Sequence, residues 1–208
     1  LDLYLKHCIC EDGVTMDKPI RVLQILGIVG GGGVEAVIMN YYEHINRDKV
    51  QFDFIVHENN IVDITDKVSK MGGRVYKVPA YNKNPVGFMW AVYKIIKAHH
   101  YQIVHSNMNT LSVFSLFPAW LAGAKIRILH NHSTSVASEK VRDFIKKILR
   151  PLAKLFSNKY FACSEYAAQW MFGDKAVHNG KVTIINNAID LKKYSYDKNL
   201  RDKLRKSL

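Results

Sequence analysis

The chain has 208 residues, 48% of them hydrophobic, and its 30 lysines and arginines against 18 acidic residues give a formal net charge of +12. That composition supports a globular core and excludes general disorder, while the basic balance admits nucleic acid, an anionic membrane surface or an acidic substrate as partner. Three cysteines, Cys8, Cys10 and Cys163, are too few and too irregularly spaced for a disulfide framework and fit a reducing, cytoplasmic setting; no segment approaches the roughly 20 apolar residues of a spanning helix.

Residues 1–17 lack both a regular apolar period and the basic-then-apolar order of a secretory signal. They read as an upstream, non-native or disordered extension, with Met16 as a candidate start. From residue 20 the pattern alternates. IRVLQILG (20–27) is a continuous apolar run, the signature of a strand buried on both faces. The glycine-rich GIVGGGG leads into a helix that carries Val34, Val37, Ile38, Tyr41, Tyr42 and Ile45 at helical spacing. VQFDFIVHE predicts a second strand, IVDITDKVSKMG a helix stopped by Gly72, and GRVYKVP a third strand. A helix follows over 85–100, whose last residues His99 and His100 suit the negative end of its dipole.

YQIVHS predicts strand four, 109–122 a helix, and KIRILHNH strand five. SEKVRDFIKKILRPLAKLFSNK (138–159) is a basic amphipathic helix, bent near Pro151. The reading favours a helix packed on the core with its charged face in water, over one lying on a membrane surface. KYFACS, a helix over Glu165–Phe172 capped by Ser164, and KVTIINNAID complete the alternation. The expected fold is α/β: a Rossmann-like, doubly wound parallel sheet of about seven strands with helices on both faces. It occupies 18–189, with 190–208 as a linker or terminal helix.

Ligands of such sheets sit beyond the carboxyl ends of the strands, where strand order reverses. That places the glycine loop, Gly31, Gly32 and Gly33 with Glu35 behind it, on one rim with His105 and Asn107 after strand four, His130, His132 and Ser133 after strand five, and Ser164 after strand six. Gly31-x-Gly33-x-x-Ala36 matches a permissive dinucleotide fingerprint, with Glu58 as its acidic partner, but a four-glycine run makes that match easy, and the loop is long for a tight turn. A wider loop that brings backbone N–H groups and a helix N-terminus toward a phosphate or sugar is favoured. Glu35 either stabilises the helix end or bonds a ligand hydroxyl. His130-x-His132 puts two imidazoles on one strand face, but no Cys, Asp or Glu stands near to complete a metal site, and none is expected.

Several segments together resemble the N-terminal, acceptor-side half of retaining GT-B glycosyltransferases, in the large glycosyltransferase family 4, or group 1, that serves capsule and exopolysaccharide synthesis. IRVLQILGIVGGGGVEAVIMNYYEHI resembles the opening strand, Gly-Gly-x-Glu loop and first helix. YQIVHSNMNT is similar to the family's strand four, with Gln102 at the acidic position. IRILHNHSTS resembles the fifth-strand histidine motif. YFACSEYAAQWMFG and VTIINNAIDLKKY resemble the serine-capped helix and the exit, with Asn186 and Ala188 at its proline and glycine positions. The resemblance implies a nucleotide-sugar donor, a saccharide or lipid-linked saccharide acceptor, retention of configuration, and His132 as the catalytic contact to the donor sugar. The glycine loop would face the donor diphosphate.

It also implies a donor-binding C-terminal domain that this sequence lacks, so the chain is expected to be inactive alone, or to use a donor domain in trans. The expected location is cytoplasmic, peripheral at the inner face of the plasma membrane. The rivals are a non-catalytic membrane-docking or partner subunit of a split glycosyltransferase and an NAD(P)- or FAD-dependent Rossmann oxidoreductase. Nucleic acid ranks last, for want of a recognition motif.

Overall fold

The computed structural model describes residues 19–27, 29–134, 140–191 and 194–207, without the side chains of 140–143. The expected extension 1–17, with Cys8, Cys10 and Met16, lies outside the described residues, as do Ser135, Ser138 and Glu139. Seven strands form one sheet: β1 (Ile20–Gly27), β2 (Val50–His57), β3 (Val75–Val78), β4 (Ile103–Ser106), β5 (Ile126–Asn131), β6 (Lys159–Ala162) and β7 (Val182–Ile184). Every pairing is parallel and the order is β3-β2-β1-β4-β5-β6-β7, so the winding direction reverses between β1 and β4. This is the doubly wound Rossmann-like fold that the alternating pattern predicts.

The helices are α1 (Gly33–His44), α2 (Thr65–Lys70), α3 (Pro85–His99), α4 (Val113–Leu121), α5 (Lys140–Phe156), α6 (Glu165–Phe172), α7 (Asp174–His178) and α8 (Lys198–Ser207). Ile38, Met39 and Tyr42 of α1 and Val68 of α2 pack on one face of the sheet against Val22, Phe52 and Phe54. Phe88 and Val92 of α3, Leu116 of α4, Ala153 of α5 and Met171 of α6 cover the other, against Leu23, Ile55 and Leu129. Burial on both faces explains why the strands read as apolar runs and not as alternations.

Local departures from the expected boundaries have identifiable causes. The second helix starts at Thr65 and not near Ile61, because the N–H groups of Ile61 and Val62 both bond Val29 O. The expected helix over 109–122 divides into a 3₁₀ turn at Asn109–Ser112, with Asn109 at φ 53°, and α4. The third helix stops at His99, since His100 takes the left-handed C-cap conformation. The seventh strand is only Val182–Ile184, and the short α7 has no counterpart in the expected elements.

The orientation of α5 is a correction. It runs unbroken through Pro151, but Phe144, Ile148 and Leu155 point outward and are exposed. The expected packing of its apolar face onto the core does not occur; among its described side chains only Ala153 is fully buried, with Phe156 packed on the aromatic rings of α4.

At the amino end of the sheet Asp53, fully buried on β2, accepts from Arg21 Nε at 2.6 Å, from Tyr101 Oη at 2.6 Å and from Arg74 N at 2.8 Å. This carboxylate links β1, β2 and the entries of β3 and β4. Replacing it strands a guanidinium and a buried phenol. Asp53→Ala is expected to lower unfolding free energy by about 2–4 kcal/mol, moderated because Arg21 is partly exposed, as read from urea denaturation.

Candidate functional site

The rim at the carboxyl ends of β1, β4 and β5 is built by the strand exits. Gly27 ends β1 at φ 76°, and α1 begins only at Gly33. The connection is therefore wider than the tight turn of a dinucleotide fingerprint. Its base is braced: Val29 N donates to Asn60 Oδ1 at 2.8 Å, and Val29 O accepts from Ile61 and Val62. Beyond that brace Gly31 takes φ 77°, a conformation that favours glycine. A methyl group added at Gly31, Gly32 or Gly33 would meet nothing within 4 Å. Packing inside the domain therefore does not require glycine at 32 and 33.

Glu35 folds back, and its Oε2 accepts from Gly31 N at 2.9 Å. That contact is the helix-end stabilisation weighed for it, and it also shapes the loop. The first N–H groups of α1 have no intrahelical acceptor and carry the positive end of its dipole, which suits a phosphate or other anion.

Asn107, one residue past β4, shares a hollow with Gly32, Gly33, Val34 and Glu35. Its backbone N donates to Ile25 O at 2.9 Å, and its Nδ2 donates to Gln24 Oε1 at 3.0 Å. Its Oδ1 therefore faces His132 Nε2 at 3.0 Å, which must be the protonated nitrogen of that ring. The Nδ1 of His132 is buried and is left as an acceptor without a partner among the described residues. The His132 N–H donates to Asn109 Oδ1 at 2.7 Å, and Asn109 Nδ2 donates to Ser133 Oγ at 3.1 Å. His132 is half-buried and Ser133 exposed.

His105 and His130 require a correction. Both were expected to line the cleft, yet they are 0% and 1% exposed. His105 lies within β4 and His130 within the β5–β6 ladder, so the sheet itself covers them. His105 Nε2 and His130 Nδ1 are hydrogen-bonded at 3.0 Å, and the ring of His130 lies 3.9 Å from that of His132 between centroids. The three imidazoles form a column with His132 at its open end. Burial pushes His105 down to about 3 and His132 to about 4, and holds His130 well below the ordinary histidine value. Neighbouring imidazoles add to the effect for His105 and His130. The column is neutral near pH 7.

Ser164 caps α6: its Oγ accepts from Ala167 N at 3.2 Å. Three contributors to the rim escaped the sequence reading. Gln24 is a lone amide in the apolar run of β1, and that oddity was its signal. Asn109 carried none beyond its place in the loop. Asn131 donates to both Ser133 O and Ala167 O at 2.9 Å and so fixes the β5 exit. Among the described residues no group of three or more His, Cys, Asp or Glu is arranged to hold a metal ion. No helix among them is long and apolar enough to cross a membrane.

Comparison with known proteins adds the following. Residues 31–193 match the family model described as Glycosyltransferase Family 4. The chain is 30% identical over 179 residues to the Bacillus subtilis (strain 168) protein named "Putative glycosyltransferase EpsF", covering 84% of this chain and 47% of that protein. The chain thus spans about half the length of the curated relative it matches. Anabaena Alr3699/HepE, solved in complex with UDP and glucose, superposes with a TM-score of 0.64 at 17% identity, over 90% of this chain and 50% of that one. A UDP-N-acetylglucosamine 2-epimerase superposes with a TM-score of 0.58 at 11% identity, over 89% and 55%. These two likenesses show a shared fold and do not separate transfer from epimerisation; the family match does.

The imidazole column makes stability pH-dependent with a definite sign. In the unfolded chain these rings protonate near 6.5, whereas in the folded chain His105 and His132 stay neutral down to about 3 and about 4, and His130 is held well below its ordinary value. Over that interval the unfolded state binds more protons, so stability falls as pH falls from about 7 toward 4, by on the order of a few kcal/mol. Urea midpoints measured across the interval should drop steeply. The double variant His105→Gln/His130→Gln, whatever its absolute stability, should show a clearly shallower pH slope.

Proposed function

The chain belongs to glycosyltransferase family 4 and has the fold of the N-terminal GT-B domain; on that premise we propose that it forms the acceptor-side half of an enzyme that moves a sugar from a nucleotide-sugar to a saccharide or lipid-linked saccharide. The observation that carries this reading is the convergence of the glycine loop, Asn107 and His132 at the switch point of the sheet. The family relationship supplies the reaction class, and the name of the Bacillus relative suggests exopolysaccharide synthesis as its setting. The relatives' other half, which this chain does not span, would bind most of the donor.

The geometry suits the chemistry asked of it. Backbone N–H groups at Gly32 and Gly33, with the α1 N-terminus behind them, would stabilise the charge that gathers on the leaving diphosphate. His132 donates through Nε2 to Asn107, and from that place at the rim it would contact the donor sugar near the reacting carbon. A neutral ring is suited to that place, because an imidazolium would oppose the positive charge that develops at the reacting carbon. Transfer proceeds with retention in this reading, with no metal or organic cofactor assigned to this half and the nucleotide-sugar as co-substrate. Residues 18–189 form the domain and 190–208 lead toward the donor half, in the same polypeptide or in trans, on the cytoplasmic side of the membrane.

The isolated 208-residue chain is expected to turn over no nucleotide-sugar, and detectable transfer by it would overturn the division of labour. Assembled with a donor-binding half, His132→Ala is expected to lower kcat about 10²–10³-fold. Gly32→Ala/Gly33→Ala should lower it about tenfold or more while leaving the circular dichroism and urea midpoint unchanged, since no atom of the domain stands near the added methyls. Turnover unaffected by both sets would remove the rim from the reaction.

A further inference from the structure

Helix α5 has two unlike sides. Outward it shows water an apolar stripe of Phe144, Ile148 and Leu155, which helical spacing borders with the exposed Lys147. Inward, Ile145, Lys146 and Leu149 line a hollow of about 340 Å³, within the roughly 300–1,000 Å³ of small-molecule sites. The hollow also takes in Tyr81 beyond β3, Trp170 of α6, and Ser133, the residue after His132. It adjoins the rim but shares no residue with the hollow between Asn107 and the glycine loop.

Lys146 is the cation of this hollow, and it has no hydrogen bond or ion pair among the described residues. Arg150, one turn further on, is committed elsewhere: it donates to Trp170 O at 2.7 Å, with its guanidinium 5.8 Å from the Trp170 ring centroid. Among the described side chains from Lys67 to Ser164 there is no carboxylate; the two acids of that stretch, Glu139 and Asp143, lie outside them. Ser133 Oγ accepts from Asn109 Nδ2 at 3.1 Å, which leaves its hydroxyl hydrogen for a ligand.

We propose that this hollow holds the acceptor, and that the acceptor is an anionic sugar, a carboxylate or phosphate of a pyranose, which Lys146 selects by its charge. The inference rests on the acceptor-side reading of the chain and narrows the substrate class. Tyr81, Trp170 and the aliphatic side chains of α5 suit the apolar C–H face of a pyranose ring, and Ser133 suits one of its hydroxyls. A wholly apolar ligand would bury Lys146 without a partner, and a bare anion would leave the aromatic and aliphatic lining unused. One cation set among apolar side chains matches a ligand with one charged group and a large apolar area.

The test is a saturation-transfer NMR titration of the 208-residue chain with methyl glucuronide, glucosyl phosphate, the neutral methyl glucoside and inorganic phosphate. At least one anionic sugar should bind about tenfold or more tightly than both methyl glucoside and inorganic phosphate, and which of the two it is assigns the anion to the ring or to the linking phosphate. Lys146→Gln should remove that preference, while Lys147→Gln, the same loss of charge on the outer side of α5, should leave it intact. Leu149→Trp, which fills the hollow, should weaken both sugars. Equal binding of the neutral sugar, phosphate binding as tight as that of the sugars, no sugar binding, or a preference that survives Lys146→Gln would overturn the proposal. Binding here requires no donor half, so its failure is read apart from turnover: transfer to a neutral acceptor by an assembled enzyme would sink the anionic class and leave glycosyl transfer standing, whereas an inactive assembly with binding intact would do the reverse.

Discussion

The carboxyl rim of the sheet is held together through the side-chain amide of Asn107. It stands where the winding reverses, on the short bridge between β4 and β1. Its nitrogen is satisfied by Gln24 within β1 and its oxygen by His132 beyond β5. Because the amide has one donor end and one acceptor end, its bond to Gln24 decides which nitrogen of His132 carries the proton. It thereby leaves His132 Nδ1 as a buried acceptor in the outermost ring of the imidazole column. The glycine loop comes to the same place by a different route. Its base is anchored by Val29, whose N–H bonds the Asn60 side chain and whose carbonyl accepts from Ile61 and Val62, while the space a side chain would fill at Gly31 to Gly33 is empty. The rim combines a fixed side, made of side-chain amides and imidazoles, with an open side made of backbone.

Burial of three imidazoles is a cost that a domain selected for stability alone would avoid. Here the cost is contained by stacking and by the hydrogen bond between His105 and His130, which leaves only one ring nitrogen of each unpaired. The consequence is a histidine at the rim that resists protonation at ordinary pH. An exposed histidine at the same point would change charge through the physiological range. The column thus holds its outermost member in place and keeps it neutral, and His105 and His130, fully covered, reach the rim only through His132.

Most of the fold was legible in the sequence because a parallel sheet buried on both faces writes itself as apolar runs, and these alternate with helical periods from Ile20 onward. The position of the rim followed from that alternation, and the strand order came from the structure. What the pattern did not disclose has physical reasons. Whether a polar side chain near a strand end faces the cleft or the interior turns on one residue of register, and His105 and His130 fall on the inner side of that step. Gln24 could be seen as an anomaly in an apolar run, but its partner lies 83 residues away and periodicity carries no such information. The shortened second helix depended on backbone bonds from Ile61 and Val62 to Val29, also far apart in the chain. For α5 the period was right and the direction wrong: amphipathicity identifies two faces of a helix without saying which one finds the core.

That reversal of α5 joins the two parts of the molecule. The inner side of the helix contributes Ile145, Lys146 and Leu149 to a hollow that also includes Tyr81, Met108, Leu111 and Ser133. Ser133 adjoins His132 and is bonded to Asn109, so this hollow opens on the rim. The outer side of the same helix, about 10 Å across the helix barrel, is the apolar stripe. A single element therefore separates the basic, apolar surface from the rim where His132 stands. Lys146 gives that hollow a cation, and the outward display of Phe144, Ile148 and Leu155 is costly for a helix face that meets only water.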